Sequence, residues 1–176
     1  NTWEGYYSYM PKCWLPNANL YNLNLQFVNL EGAYLVGANL RSAMLGTSNL
    51  RNTKLINANL VNSDLKWANL DNSNLKGADL RYGNLDYAIL SNANLTGANL
   101  VNSNLENANL ENSILIDASL FDANLNDANL ENADLSDSWL WYASMINANL
   151  ENANLKVADL RYANLVSANL FSANLS

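Results

Sequence analysis

Histidine is absent from this 176-residue chain, cysteine occurs once, at Cys13, and proline twice. Without histidine there is no side chain that titrates near neutral pH unaided, no Ser–His or Cys–His catalytic pair, and no imidazole ligand for zinc. A lone cysteine excludes an internal disulfide framework and a Cys-rich metal site. With no histidine to activate it, Cys13 is expected to pack rather than react. No apolar run approaches the roughly 20 residues that span a bilayer as a helix, and no Gly-rich phosphate loop or metal-ligand motif is present. These absences argue against an enzyme, a cofactor, a small-molecule substrate and a membrane span.

What is abundant is leucine, at one spacing. Every fifth residue from Leu15 to Leu175 is leucine, with Met145 the one exception, so leucine fills 32 of 33 positions. Two residues before each is a small residue, Ala18, Ala33, Ala58, Ser48 or Ser63 for instance, with Leu23 and Val28 as early exceptions. The residue just before each leucine is usually Asn or Asp. A period of five suits neither regular structure. On an α-helix each step of five overshoots a turn by about 140°, so the leucines form no stripe. In a straight strand the side-chain period is two, and an odd spacing alternates leucines between faces. The chain must therefore turn once within every five residues. The small residue and the leucine then point inward from a short extended segment, and coils stack so that backbone groups bond to the coils above and below. Leucine-rich repeats have unequal leucine spacings over 20–29 residues, and coiled coils need heptads, so both fail.

Units such as Ala58-Asn59-Leu60, Ala98-Asn99-Leu100, Ala108-Asn109-Leu110 and Ala168-Asn169-Leu170 resemble the A-[DN]-L-x-x pattern of the pentapeptide-repeat family. The resemblance covers residues 16–176 or so. It implies an all-β fold, a right-handed quadrilateral parallel β-helix with four pentapeptides per coil and about eight coils. Residues 1–16 break the pattern and hold Trp3, Tyr6, Tyr7, Tyr9 and Trp14. They are expected to form an aromatic N-terminal cap, leaving residues 17–176 as the solenoid. Leu60, Leu80, Leu100 and Leu120 represent the expected core, which fills a narrow axis and leaves no ligand-sized cavity. The repeat runs to the last residue, so the C-terminal coil is expected to be open and available to a partner or a second copy. Some members of the family reside in the thylakoid lumen or periplasm. That resemblance, with a chain that starts at Asn1, favours an exported location (periplasm, thylakoid lumen or cell surface) over cytoplasm.

The surface carries the remaining information. The 16 acids outnumber the 9 bases, for a net charge of -7. Nine acids and no base lie between Val101 and Leu155, whereas Arg41, Arg51, Lys54, Lys66, Lys76 and Arg81 occupy the first half. Some relatives in the resembled family are acidic rods that imitate DNA and bind DNA gyrase, so a gyrase-type enzyme is the alternative partner. DNA carries one charge per about 1.7 Å of axis. The acidic stretch matches that locally, but the whole rod is about threefold too sparse. Direct nucleic-acid binding is not expected. Glu111, Glu131 and Glu151 share a column at 20-residue spacing, as do Asp117 and Asp137. Asn52, Asn72, Asn92, Asn112, Asn132 and Asn152 form a third column at the corner, expected to stack as one structural ladder on an edge. The most specific patch surrounds Ser138 to Met145: Trp139 stands where Asn is usual, Trp141 is in register with Phe121 and Arg161, and Tyr142 with Tyr162. Outward Trp, Tyr and Arg are both what stacked ladders and what protein interfaces use. The leading reading is a non-enzymatic structural or scaffolding protein that binds a protein partner through this aromatic and acidic surface, or assembles end to end.

Overall fold

The structure, a computed structural model, describes residues 9–176. Each pentapeptide closes a tight turn in which the leucine carbonyl accepts the N–H three residues on, as Leu35 does from Ala38 at 3.0 Å and Leu100 from Ser103 at 3.1 Å. The second residue after each leucine has a positive φ, between 53° and 66°, as in a type II turn. That left-handed conformation favours Gly and Asn, and they dominate the position. At Gly37 and Gly77 an added Cβ would meet the Oδ1 of Asn17 or of Asn57, which lean over them from the coil below, so those side chains would have to swing aside.

Four such turns complete a coil. Every fifth residue from Tyr9 to Asn154 makes a parallel bridge with the residue 20 further on, as in Asn59↔Asp79 and Asn99↔Ser119. Leu100 N donates to Ser119 O at 2.7 Å and Asn99 N to Ala78 O at 2.9 Å, so each extended segment bonds to the coils on both sides. Residues 9–176 thus make slightly more than eight four-sided coils. Leucines and small residues line the axis: Leu60, Leu80, Leu100 and Leu120 are fully buried in one column, and Met145 replaces leucine with no exposure. Where the small residue is Thr53, Ser103, Ser113 or Ser138, its hydroxyl donates to the carbonyl three residues earlier at 2.6–2.7 Å. The polar atom is thereby accommodated inside an apolar axis.

The flat sides are held by amides. An Asn before leucine accepts the backbone N–H two residues on and donates its own amide to the Asn one coil below. Asn129, for example, accepts from Glu131 N at 3.2 Å and from the Asn149 amide at 3.0 Å. The corner column Asn52–Asn152 differs from the stacked ladder expected of it. Its residues hold φ near 57°, which directs the side chains outward. Their amides reach neighbouring carboxylates, Asn72 and Asn92 to Asp71 and Asn112 to Glu111.

Among the described residues, Asp71 is the best-satisfied carboxylate, accepting from Arg51, Asn72, Ser91 and Asn92. Burial acts to raise its pKa, but hydrogen bonds from Asn92, Ser91 and Asn72 and the charge of Arg51 outweigh that and hold it below the ordinary value. A depressed carboxylate stabilises the fold above the unfolded pKa, and that contribution is lost as pH falls through the folded value. Asp71→Asn is expected to lose on the order of 1 kcal/mol at pH 7. The deficit relative to the parent chain should shrink below about pH 4, read from urea midpoints at both pH values.

Both ends refine the expected layout. The coil geometry is already established at Tyr9, which bridges Asn29, and at Trp14, which bridges Tyr34. Tyr9 and Trp14 project outward, about 70% exposed, because the residue before the inward position faces solvent. They do not plug the axis; Trp3, Tyr6 and Tyr7 lie outside the described residues. Met10, Leu15, Leu20, Leu23 and Leu25 line an apolar recess of about 50 Å³ at this end, far smaller than the roughly 300–1,000 Å³ of ligand pockets. At the other end Leu160, Leu165 and Leu170 are only partly buried, and their N–H groups have no backbone acceptor among the described residues. Any layer continuing this stack must offer carbonyls and apolar side chains. No helix among the described residues is long and apolar enough to cross a membrane.

Candidate interaction surface

Every coil has four edges, and each edge is written in the sequence at 20-residue spacing. One edge collects Phe121 with Asp122, Trp141 with Tyr142, and Arg161 with Tyr162. Tyr142 and Tyr162 occupy the left-handed turn position, with φ of 61° and 60°. A bulky side chain there is disfavoured by about 1–2 kcal/mol, whereas Asn tolerates it. Their rings stack at 4.9 Å and 11°. Trp141 packs on Tyr142 at 5.6 Å and on Tyr162 at 6.2 Å, while Phe121 meets Trp141 and Tyr142 edge-on at 6.0 and 5.9 Å. The Arg161 guanidinium lies 4.9 Å from the Trp141 ring centroid. Asp159 grips that guanidinium through Nε and a terminal nitrogen at 2.7–3.1 Å, and those bonds hold the Asp159 carboxyl below its ordinary pKa. The Trp141 indole N–H is buried without an acceptor among the described residues, so rings and guanidinium position the indole, not a hydrogen bond.

The sequence-derived set is only partly brought together. Phe121, Trp141, Tyr142, Arg161 and Tyr162 form the single edge expected of them. Trp139 stands apart on the adjacent flat side, 64% exposed, between Ser119 and Asp159. Glu111, Glu131 and Glu151 are half a coil away, on the diagonally opposite edge. There the carboxylates accept amides from Asn112 at 3.4 Å, Asn149 at 3.4 Å and Asn169 at 3.2 Å, an arrangement that serves the Asn ladder. The acids between Val101 and Leu155 therefore form a band around the rod. Among the described residues no cluster of three or more metal-ligating side chains occurs.

Two aromatic pairs went unnoticed in the sequence. Trp67 stacks on Tyr87 and Trp14 on Tyr34, each at 4.0 Å, with Lys66 over Tyr87 and Lys54 over Tyr34. Their signal was present, since each pair is 20 residues apart.

A family model for pentapeptide repeats (8 copies) matches residues 18–55, 48–82, 73–112, 98–137, 113–152 and 142–176, which together run from 18 to 176. This chain belongs to the pentapeptide-repeat family. Among solved structures, the pentapeptide-repeat protein HetL, involved in heterocyst differentiation regulation in the cyanobacterium Nostoc sp. strain PCC 7120, is 28% identical. The match covers 94% of this chain and 88% of HetL, with a TM-score of 0.49. A trypsin-treated form of QnrB1, a plasmid-mediated fluoroquinolone resistance protein, matches over 96% of this chain and 84% of its own at 13% identity and a TM-score of 0.58. At that identity the likeness shows the fold alone. A pentapeptide-repeat protein from the Arabidopsis thaliana thylakoid lumen is 27% identical over 62% of this chain and 63% of its own, with a TM-score of 0.19. No curated protein matches.

Proposed function

We propose that this chain is a non-enzymatic interaction rod, a right-handed quadrilateral β-helix that binds a protein partner through the edge bearing Phe121, Trp141, Tyr142 and Tyr162. One observation carries the reading: Phe121, Trp141, Tyr142 and Tyr162 pack into one aromatic cluster on a single edge with both tyrosine rings exposed. The left-handed conformation of the two tyrosines is shared by Phe27, Trp67, Tyr82 and Tyr87 and does not by itself mark this edge. The axis is filled by leucine and small side chains, which leaves the outer surface for recognition, and exposed aromatic residues are the anchors protein interfaces favour.

A purely structural ladder and a recognition edge make opposite demands on stability. Stacking is worth roughly 0.5–1.5 kcal/mol, similar to the left-handed penalty that Asn would relieve. The double variant Tyr142→Asn/Tyr162→Asn is therefore expected to keep the urea midpoint of the parent. A loss of more than about 2 kcal/mol, the two rings together exceeding any relief of strain, would assign the edge to fold maintenance and end this reading. Imitation of DNA is the second reading. The band of acids favours it locally; the cations of the first half oppose it. Inhibition of gyrase supercoiling by the purified chain is expected to be absent, and inhibition at stoichiometric amounts would instate it.

A further inference from the structure

The rod's charge is divided by partnership as well as by sign. In the first half, Asp71, Asp79 and Asp86 are each in an ion pair, with Arg51, Arg81 and Lys66, and Asp64 accepts the Asn84 amide and the backbone N–H of Lys66. In the second half, the side chains of Asp117, Asp122 and Asp137 are exposed and have no hydrogen-bond or ion-pair partner among the described residues. These three are not scattered. Asp122 shares the column of Tyr142 and Tyr162. Asp117 and Asp137 occupy the next edge, across the flat side that carries Trp139. The aromatic edge, exposed Trp139 and the three aspartates thus form one continuous surface about three coils tall, or roughly 14 Å at strand spacing.

The surface already holds one example of what it can bind. Arg161 lies over Trp141 with its guanidinium clamped by Asp159, so the local cation is neutralised and an aromatic face has accepted a planar cation. Ring faces attract guanidinium and ammonium groups, and unpaired carboxylates beside exposed rings supply the counter-charge for further cations. We infer that this surface docks a basic, arginine-bearing segment of a partner protein, with its guanidinium groups laid on Trp139 and on the open face of Tyr162 and paired by Asp117, Asp122 and Asp137. The inference rests on the proposed interaction role and names the chemistry of its partner.

The probe is an (Arg-Gly)5 peptide titrated into the full chain by calorimetry at low and physiological salt, with (Lys-Gly)5 and (Ser-Gly)5 peptides as comparisons. The arginine peptide should bind more tightly than the lysine peptide, because only the guanidinium stacks, and the serine peptide should not bind. Trp139→Ser, which copies the residue one coil below, and Tyr162→Asn should each weaken binding roughly fivefold. Asp117→Asn/Asp137→Asn should weaken it and flatten its salt dependence. Glu111→Gln/Glu131→Gln/Glu151→Gln, which removes equal or greater charge from the opposite edge, should leave it unchanged. Equal weakening by the glutamate triple variant would reduce the interaction to net charge, and equal affinity for arginine and lysine would remove the stacking. Either result, or no binding, overturns the inference. Because the interaction role itself is tested by the stability of Tyr142→Asn/Tyr162→Asn, the two failures are distinguishable: an unchanged midpoint without peptide binding leaves an interaction edge for a partner of other chemistry.

Discussion

Leu100→Ala should destabilise the rod by about 2–5 kcal/mol, toward the upper part of that range. Leu100 has no exposure, and neither have Leu80 below and Leu120 above it in the same column. The cavity left by truncation has little means of closing, because the backbone around it is pinned. Leu100 N donates to Ser119 O at 2.7 Å and its carbonyl accepts from Ser103 N at 3.1 Å. The backbone cannot relax inward without breaking bonds to the coils on both sides. In a solenoid each coil contacts only its neighbours, so stability approximates a sum over coils and their interfaces. Leu60→Ala and Leu120→Ala should then each show a loss like that of Leu100→Ala. Leu60→Ala combined with Leu120→Ala, three coils apart, should add, while Leu100→Ala with Leu120→Ala, in contact, should deviate from additivity. Urea midpoints with a constant m-value measure both.

How much of this was legible beforehand follows from which residues answer to the period of five and which to the period of twenty. The five-residue period is enforced at every unit by burial, since a leucine or small residue shifted by one position would face water. It therefore dominates the sequence, and turn, axis and coil could all be deduced from it. The twenty-residue period is enforced only by side chains touching across coils, so it appears only where particular residues demand it. Phe121, Trp141 and Arg161 were visible because rare residues recur at one edge. Trp67 with Tyr87 is equally regular, but a single pair does not stand out from scattered aromatics. The position of Glu131 opposite Trp141 was also available, ten residues being half a coil, yet shared charge and nearness in sequence suggested one acidic aromatic side. The Asn columns illustrate a finer limit. Asn at the corner and Asn before leucine are the same residue type, and the backbone decides their roles: φ near 57° aims Asn112 outward at Glu111, whereas Asn149 lies over Asn129 and bonds to it. Trp14 shows the limit at the chain's start. Its neighbours lack the repeat consensus, but the coil extends over them once the next coil supplies Tyr34 as a bridge partner.

The two periods can be separated by deletion. Removing residues 81–100, one whole coil, keeps every inward residue inward and every column in register. The shortened rod should fold and unfold cooperatively, with a loss no larger than one coil's share of the stability. Removing residues 126–130, one pentapeptide, keeps the five-residue period but rotates everything after it by one side of the square. The axis stays filled because each side offers a leucine and a small residue. Trp141 and Tyr142 should move off the edge of Phe121 and Asp122, while the Tyr142–Tyr162 stack, wholly on one side of the deletion, should persist. Removing Asn126 alone is expected to be far worse than either. Every residue beyond it is displaced by one position, so the leucines of all later pentapeptides leave the axis: residues such as Glu131, Glu151 and Arg161 enter the leucine positions, and Asn129, Asp134, Asn149 and Asp159 enter the small-residue positions. Burying unpartnered amides and carboxylates is costly at each site, and the segment after the deletion should lose its fold. Circular dichroism and native-state hydrogen exchange should show full protection for the 20-residue deletion, nearly full protection for the 5-residue deletion, and loss of protection beyond residue 125 for the single deletion. A single-residue deletion that kept its protection would mean that the chain can absorb an extra or missing residue at a corner, and the inward leucine would no longer be what fixes the register.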